Sequence, residues 1–164
     1  MTGEEIKQII DKHVPLSTRY TDQKSYKIGR NAAIYQQTPK PAPDNRIPVP
    51  FIRRAVKILK GYFASVGYIT YKDDGWFENN IASWYDKNNE ELKTAAVFED
   101  ACTYGRGFEL VWFGEDGFHF ATLQTDQCIP IYSSELEPTL EAFIWYRKIN
   151  DVETATYYDA EEYQ

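Results

Sequence analysis

Residues Glu90 to Leu123, EELKTAAVFEDACTYGRGFELVWFGEDGFHFATL, decide the fold. The first part, Glu90 to Thr103, places Leu92, Ala95, Ala96, Phe98, Ala101 and Cys102 at helical spacing, and its small residues allow close approach to a neighbouring element. Gly105-Arg106-Gly107 is the exit from that helix. The period then changes: Phe108 to Phe113 and Phe118 to Leu123 read as two strands joined by the turn Gly114-Glu115-Asp116-Gly117. A helix running into an antiparallel hairpin is an α+β unit, and the rest of the chain is placed around it.

Downstream, Thr125 to Pro130 crosses into a short strand around Ile129 to Tyr132. The longest strand is Leu140 to Ile149, and Asn150-Asp151 turns it into Val152 to Tyr158. Apolar residues on both faces of these strands predict a sheet covered on both sides, in part by another subunit.

Upstream, Pro50 sits at a first-turn position and opens a helix to about Val66, with Ile52, Ala55, Val56, Leu59, Phe63 and Val66 as its buried stripe and Gly67 beyond its end. Tyr68 to Lys72 is a short strand, left through Asp73-Asp74-Gly75. Trp76 to Asp86 forms one helix with Phe77, Ile81, Trp84 and Tyr85 on a face; Asn88-Asn89 breaks it, and Asn89 caps the next. Residues 36–50 hold five of the eight prolines and form an extended linker, because proline lacks an amide and disfavours helix before it. Ahead of that lies a helical arm, residues 1–35. Thr2 and Glu5 form a capping box for a helix bearing Ile6, Ile9, Ile10 and Val14; Pro15 ends or bends it, and Leu16 to Ile34 is a second helix punctuated at Gly29. The expected organisation is therefore an arm over 1–35, a linker over 36–50 and an α+β body over 51–164, with helices packed on a mainly antiparallel sheet.

Charge divides the chain. Residues 1–60 carry 12 Lys and Arg against 5 Asp and Glu, and residues 61–164 carry 6 against 20. A basic front and an acidic back suit head-to-tail docking of copies or a basic face for nucleic acid; solvated surfaces that merely differ are an equal alternative. Cys102 and Cys128 fit no zinc spacing and read as free, buried thiols of a reducing compartment. No apolar run reaches membrane-span length and no signal segment is apparent, so a cytoplasmic protein is expected.

Chemistry is hard to find. A Walker-type loop, a dinucleotide-binding glycine fingerprint, HExxH and GxSxG are all missing from the sequence. His13 and His119 are isolated, and the pairs Asp73-Asp74 and Glu115-Asp116 lie beside turn glycines, where solvated carboxylates are routine. A carboxylate hydrolase would need two carboxyl groups held at a set separation. No catalytic residue, cofactor or metal site is assigned. The one candidate contact surface is Arg53, Arg54, Lys57 and Lys60, four cations within two turns of one helix, fit for phosphate or a partner. Such a face is more often simply solvated, and backbone contact is favoured over base readout.

The order of several segments resembles the N-terminal region of siphophage portal proteins. Tyr26 to Ile34 has the form Y-x-x-G-x-N-x-x-I; Asn45-Arg46-Ile47 precedes a helix ending Gly61-Tyr62-Phe63; and Tyr68-Ile69-Thr70-Tyr71 follows. Tyr104-Gly105-Arg106-Gly107-Phe108-Glu109-Leu110 is similar to a family signature before a hairpin, and Thr125 to Tyr132 to a P-x-x-x-x-x-I-Y segment, with Thr125 in place of the proline. The resemblance implies a wing-like α+β region of a ring subunit at the capsid vertex, with no enzymatic activity. It also implies a virion location after assembly in the host cytoplasm. Its implied partners are further copies of itself, capsid or scaffold proteins and the packaging motor, with at most non-specific DNA contact. The family's stem, clip and crown lie beyond the matched region. The competing reading is an independent module binding nucleic acid or carbohydrate through the basic helix or the Tyr- and Trp-rich sheet; a carboxylate hydrolase ranks third.

Overall fold

The computed structural model describes residues 1–30, 32, 47–64, 75–115 and 117–159. The strand at Tyr68 to Lys72, Ile34, Val66, Gly67, Asp73, Asp74, Asp116 and residues 36–46 of the linker lie outside them. The chain divides into two compact units, one of residues 1–20 with 124–164 and the other of residues 21–123. The architecture is α+β, with five helices and two antiparallel sheets among the described residues.

In the first unit, the opening helix is fixed by its cap. The Thr2 amide donates to Glu5 Oε2 at 2.7 Å and the Glu5 amide to Thr2 Oγ1 at 3.4 Å, the expected capping box. The Thr2 bonds hold the Glu5 carboxyl below the usual carboxylate range. Helix α1 (Gly3–Lys27) then runs through Pro15, where an end or bend was expected. In the turn after it, Ser17 Oγ donates to the Val14 carbonyl at 2.6 Å and Thr18 Oγ1 to the Pro15 carbonyl at 2.7 Å, hydroxyl bonds back to the preceding turn. Side chains also meet across the proline, since the His13 and Tyr20 rings lie 6.3 Å apart.

After a 3₁₀ turn at Thr125–Gln127, strands β3 (Cys128–Tyr132), β4 (Leu140–Ile149) and β5 (Val152–Asp159) make a sheet in that order, with Ile129 opposite Ile144 and Ile144 opposite Tyr157. Strands β1 (Phe108–Gly114) and β2 (Gly117–Leu123) belong to the second unit. Residues two apart share a sheet face, so Ala142, Ile144, Ile129 and Tyr157 form one buried layer, on which Ile6, Ile9 and Ile10 of α1 pack. Asn150 and Asp151 make the expected tight turn with φ of 49° and 63°. His13 Nδ1 donates to the Tyr146 hydroxyl at 3.0 Å, and that hydroxyl donates to the Asp126 carbonyl at 2.8 Å, tying α1 to β4 and to the 3₁₀ turn. Burial, then the charge of Asp126, pushes the Tyr146 hydroxyl up and keeps it a donor.

In the second unit, α1 closes at Gly29, the expected punctuation: the Arg30 amide donates to the Ser25 carbonyl at 2.8 Å and the Gly29 amide to the Tyr26 carbonyl at 3.1 Å, with Gly29 at φ 80°. That is a left-handed helix stop, which glycine adopts without steric cost. Helix α2 (Phe51–Phe63) begins one residue after Pro50, which occupies the capping position. The expected single helix over Trp76 to Asp86 is two: α3 (Trp76–Asn80) and α4 (Ala82–Asn88), separated at Ile81 with φ −120° and ψ −36°. Helix α5 (Glu90–Tyr104) follows, then strands β1 (Phe108–Gly114) and β2 (Gly117–Leu123), paired from Phe108 opposite Leu123 to Gly114 opposite Gly117.

Asn89 holds the N-cap position of α5, as expected. Asn89 is left-handed (φ 51°, ψ 48°) and makes no side-chain cap bond. The working side chain is its neighbour Asn88, buried at 8% exposure. Its Nδ2 donates to the Trp84 carbonyl at 2.8 Å and the Phe118 carbonyl at 2.7 Å, and its Oδ1 accepts from the Phe120 amide at 3.3 Å. One amide side chain therefore closes α4 and clasps it to β2. Trp84 on Phe118 and Tyr85 on Phe120, edge to face at 5.0 and 5.5 Å, complete this junction.

Candidate functional site

The sequence leads to α2, and the structure separates its four cations. Arg53, Arg54 and Lys57 are exposed, whereas Lys60 is half-buried. Lys60 Nζ lies 2.7 Å from Glu99 Oε2, and Lys27 Nζ lies 2.8 Å from Glu99 Oε1. One carboxylate of α5 thus joins the end of α1 to α2. The two lysine hydrogen bonds hold the Glu99 carboxyl down to about 2. Lys60 is committed to that ion triad, so the solvent-facing basic group is Arg53, Arg54 and Lys57.

The apolar side of α2 also differs from its expected form. Val56 is buried and Phe63 stacks on Phe98 of α5 at 4.0 Å with rings 2° from parallel, whereas Ile52 and Leu59, also assigned to the buried stripe, are 44% and 51% exposed. Ala55, assigned to that stripe, is exposed. It belongs to a second row, Phe51, Ala55, Ile58 and Tyr62, at spacing i, i+4, i+7, i+11. Phe51 and Tyr62 are each 71% exposed and Ile58 50%. Sequence reasoning missed this row although its spacing is visible in the sequence. On α5, Ala95 is buried as expected, but Leu92 points away at 71% exposure.

The Tyr104 to Leu110 segment has a structural explanation. Gly105 (φ 81°) ends α5, its amide donating to the Ala101 carbonyl at 2.8 Å. A Cβ on Gly107 would stand 2.4 Å from the Val97 carbonyl oxygen, so β1 leaves α5 at a distance only glycine permits.

Among the described residues, two open clefts are the candidates for a reaction centre. One, between α2, α5 and β1, is lined by a single carboxylate, Glu109, which burial and then Glu90 push up. The other, beside α1 and Tyr157, is lined by the single carboxylate Glu5 with Lys12. Neither brings two carboxyl groups together. Among the described residues no group of three His, Cys, Asp or Glu could hold a metal ion. His119 stacks on Trp112 at 5.2 Å, and His13 serves the Tyr146 network. Both cysteines are free; Cys102 is half-buried, and Cys128 is fully buried, with burial and then Asp126 pushing its thiol up to about 12. No helix among the described residues is long and apolar enough to cross a membrane.

What the chain offers is surface, a basic and apolar helix packed on α5. A search of curated proteins finds no match. The family model for phage portal proteins of the SPP1 Gp6-like type matches residues 6–164, from the isoleucine stripe of α1 to the end of the chain. The chain belongs to the phage portal protein family.

Proposed function

We propose that this chain acts as a structural subunit of a portal ring at one vertex of a tailed-phage capsid, the passage through which DNA is packaged and ejected. The observation that carries the reading is the family match over residues 6–164. The division of charge supports it, because closing a ring requires one patch of each subunit to meet a different patch of the next. Arg53, Arg54 and Lys57 serve in contact with a partner, or with phosphate in a sequence-independent way. The family is structural, and the work assigned to the chain is assembly and not catalysis.

Two measurements test this. Negative-stain micrographs and native mass of the purified chain are expected to give closed rings, and antibodies to the chain are expected to decorate one vertex of tailed particles. A chain that remains monomeric at high concentration and labels no vertex contradicts the proposal.

A further inference from the structure

Helix α2 has its apolar counterpart on the other unit of the same chain. Strands β3 and β4 are joined by Ser133 to Thr139, SSELEPT. The neck of this connection is closed: the Ser133 amide donates to the Thr139 carbonyl at 2.8 Å, and the Thr139 amide to Ser133 Oγ at 3.0 Å. Pro138 restricts the backbone just inside it. The tip presents Leu136, 100% exposed, between Glu135 and Glu137, both exposed. A large apolar side chain held out on a pre-closed loop loses little entropy on docking.

The outer row of α2 has the opposite character. Phe51, Ile58 and Tyr62 are large and mostly exposed, and Arg54, three positions from Phe51 and four from Ile58, borders them, with Lys57 one turn beyond Arg54 on the same side. One surface is an apolar knob flanked by two carboxylates; the other is an apolar row with two cations along one side. Burying Leu136 against Ile58 and Tyr62 removes apolar area from water on both sides, while the flanking charges fix the direction of docking.

We propose that the Glu135-Leu136-Glu137 tip of one copy docks on the outer face of α2 of the next, beside Arg54 and Lys57. The two patches differ, so the contact is heterologous, the kind that closes rings. The proposal rests on the ring reading above and names the surface through which the ring is built.

The test is charge exchange in the full chain, read by sedimentation velocity at low and high salt. R54E with K57E, and separately E135K with E137K, are each expected to weaken self-association about ten-fold, and the chain carrying all four changes is expected to regain it. All four positions are exposed, so an unchanged circular dichroism spectrum controls for folding. A photo-crosslinker at position 136 is expected to label residues 51–63 of another copy. Self-association that ignores both reversals, or label falling elsewhere, overturns this interface and leaves self-assembly standing. A parent chain that never associates overturns both readings. If R54E with K57E lowers affinity for duplex DNA while self-association is unchanged, α2 is a phosphate contact and the interface is wrong.

Discussion

Helices α1 and α2 are both amphipathic and both basic on part of their polar surface, yet they differ in what their apolar residues meet. On α1, Ile6, Ile9 and Ile10 lie on a sheet layer containing the fully buried Ile144. On α2, Val56 alone is buried, and a whole second row is left in water. Helix α1 has no fully buried residue at all, yet the helix with the wider apolar arc leaves more large apolar side chains exposed, Phe51, Ile52, Ile58, Leu59, Tyr62 and Phe63 against Val14, Leu16 and Tyr26. An amphipathic pattern therefore reports that a helix will be covered, not that its own chain supplies the cover, and apolar surface beyond what the core uses marks a place for a partner.

The most forceful way to break this comparison is on the α1 side. Ile144→Ala removes a side chain with 0% exposure and is expected to cost about 3 kcal/mol in urea denaturation. A loss no larger than that of a surface substitution would mean that the sheet layer under α1 is not a core. Next in size is Asn88→Ala, which leaves the Phe120 amide and the Trp84 and Phe118 carbonyls without their side-chain partner. About 2 kcal/mol should be lost, with faster hydrogen exchange at the Phe120 amide.

The support of α2 itself is tested by acid. The Glu99 carboxyl is held down to about 2 by Lys27 and Lys60, below its ordinary value of 4.5. A depressed folded value stabilises at pH above 4.5, and that contribution disappears as pH falls toward 2. With partial exposure discounted, about 1 kcal/mol is at stake. Glu99→Gln should be less stable than the parent at pH 7 and nearly equal to it near pH 2, a convergence that pH-dependent melting would reveal. The smallest expected effect sharpens the contrast most. Tyr62→Ser on the outer row should change stability by no more than about 0.5 kcal/mol while reducing self-association. A large loss of stability would show that the chain itself uses this row.

The elements governed by local chemistry were legible in the sequence. The helix from Glu90, the hairpin, Leu140 to Ile149 and the Asn150-Asp151 turn sit within a residue or so of where period and turn residues put them. Pro15 does not end the helix, because side chains on either side of it, such as His13 and Tyr20, meet across it, a contact that a local rule does not weigh. The clasp made by Asn88 was not legible, because its partners Phe118 and Phe120 on β2 lie 30 and 32 positions on. Of the candidate surface, the cations were visible but the withdrawal of Lys60 by Glu99 was not, since that pairing spans 39 positions. The outer row was present in the sequence all along, hidden by the choice of one stripe where the helix has two.

Cys128 has a consequence of another kind. Its thiol is fully buried, points at the Gln124 carbonyl and titrates at about 12, so at neutral pH almost none of it is thiolate and none of it is reachable. Alkylating reagents can modify it only when β3 parts from β4 or the 3₁₀ turn lifts away. The rate of that modification is a clock built into the chain, counting how often the sheet beneath α1 opens, free or within an assembled particle.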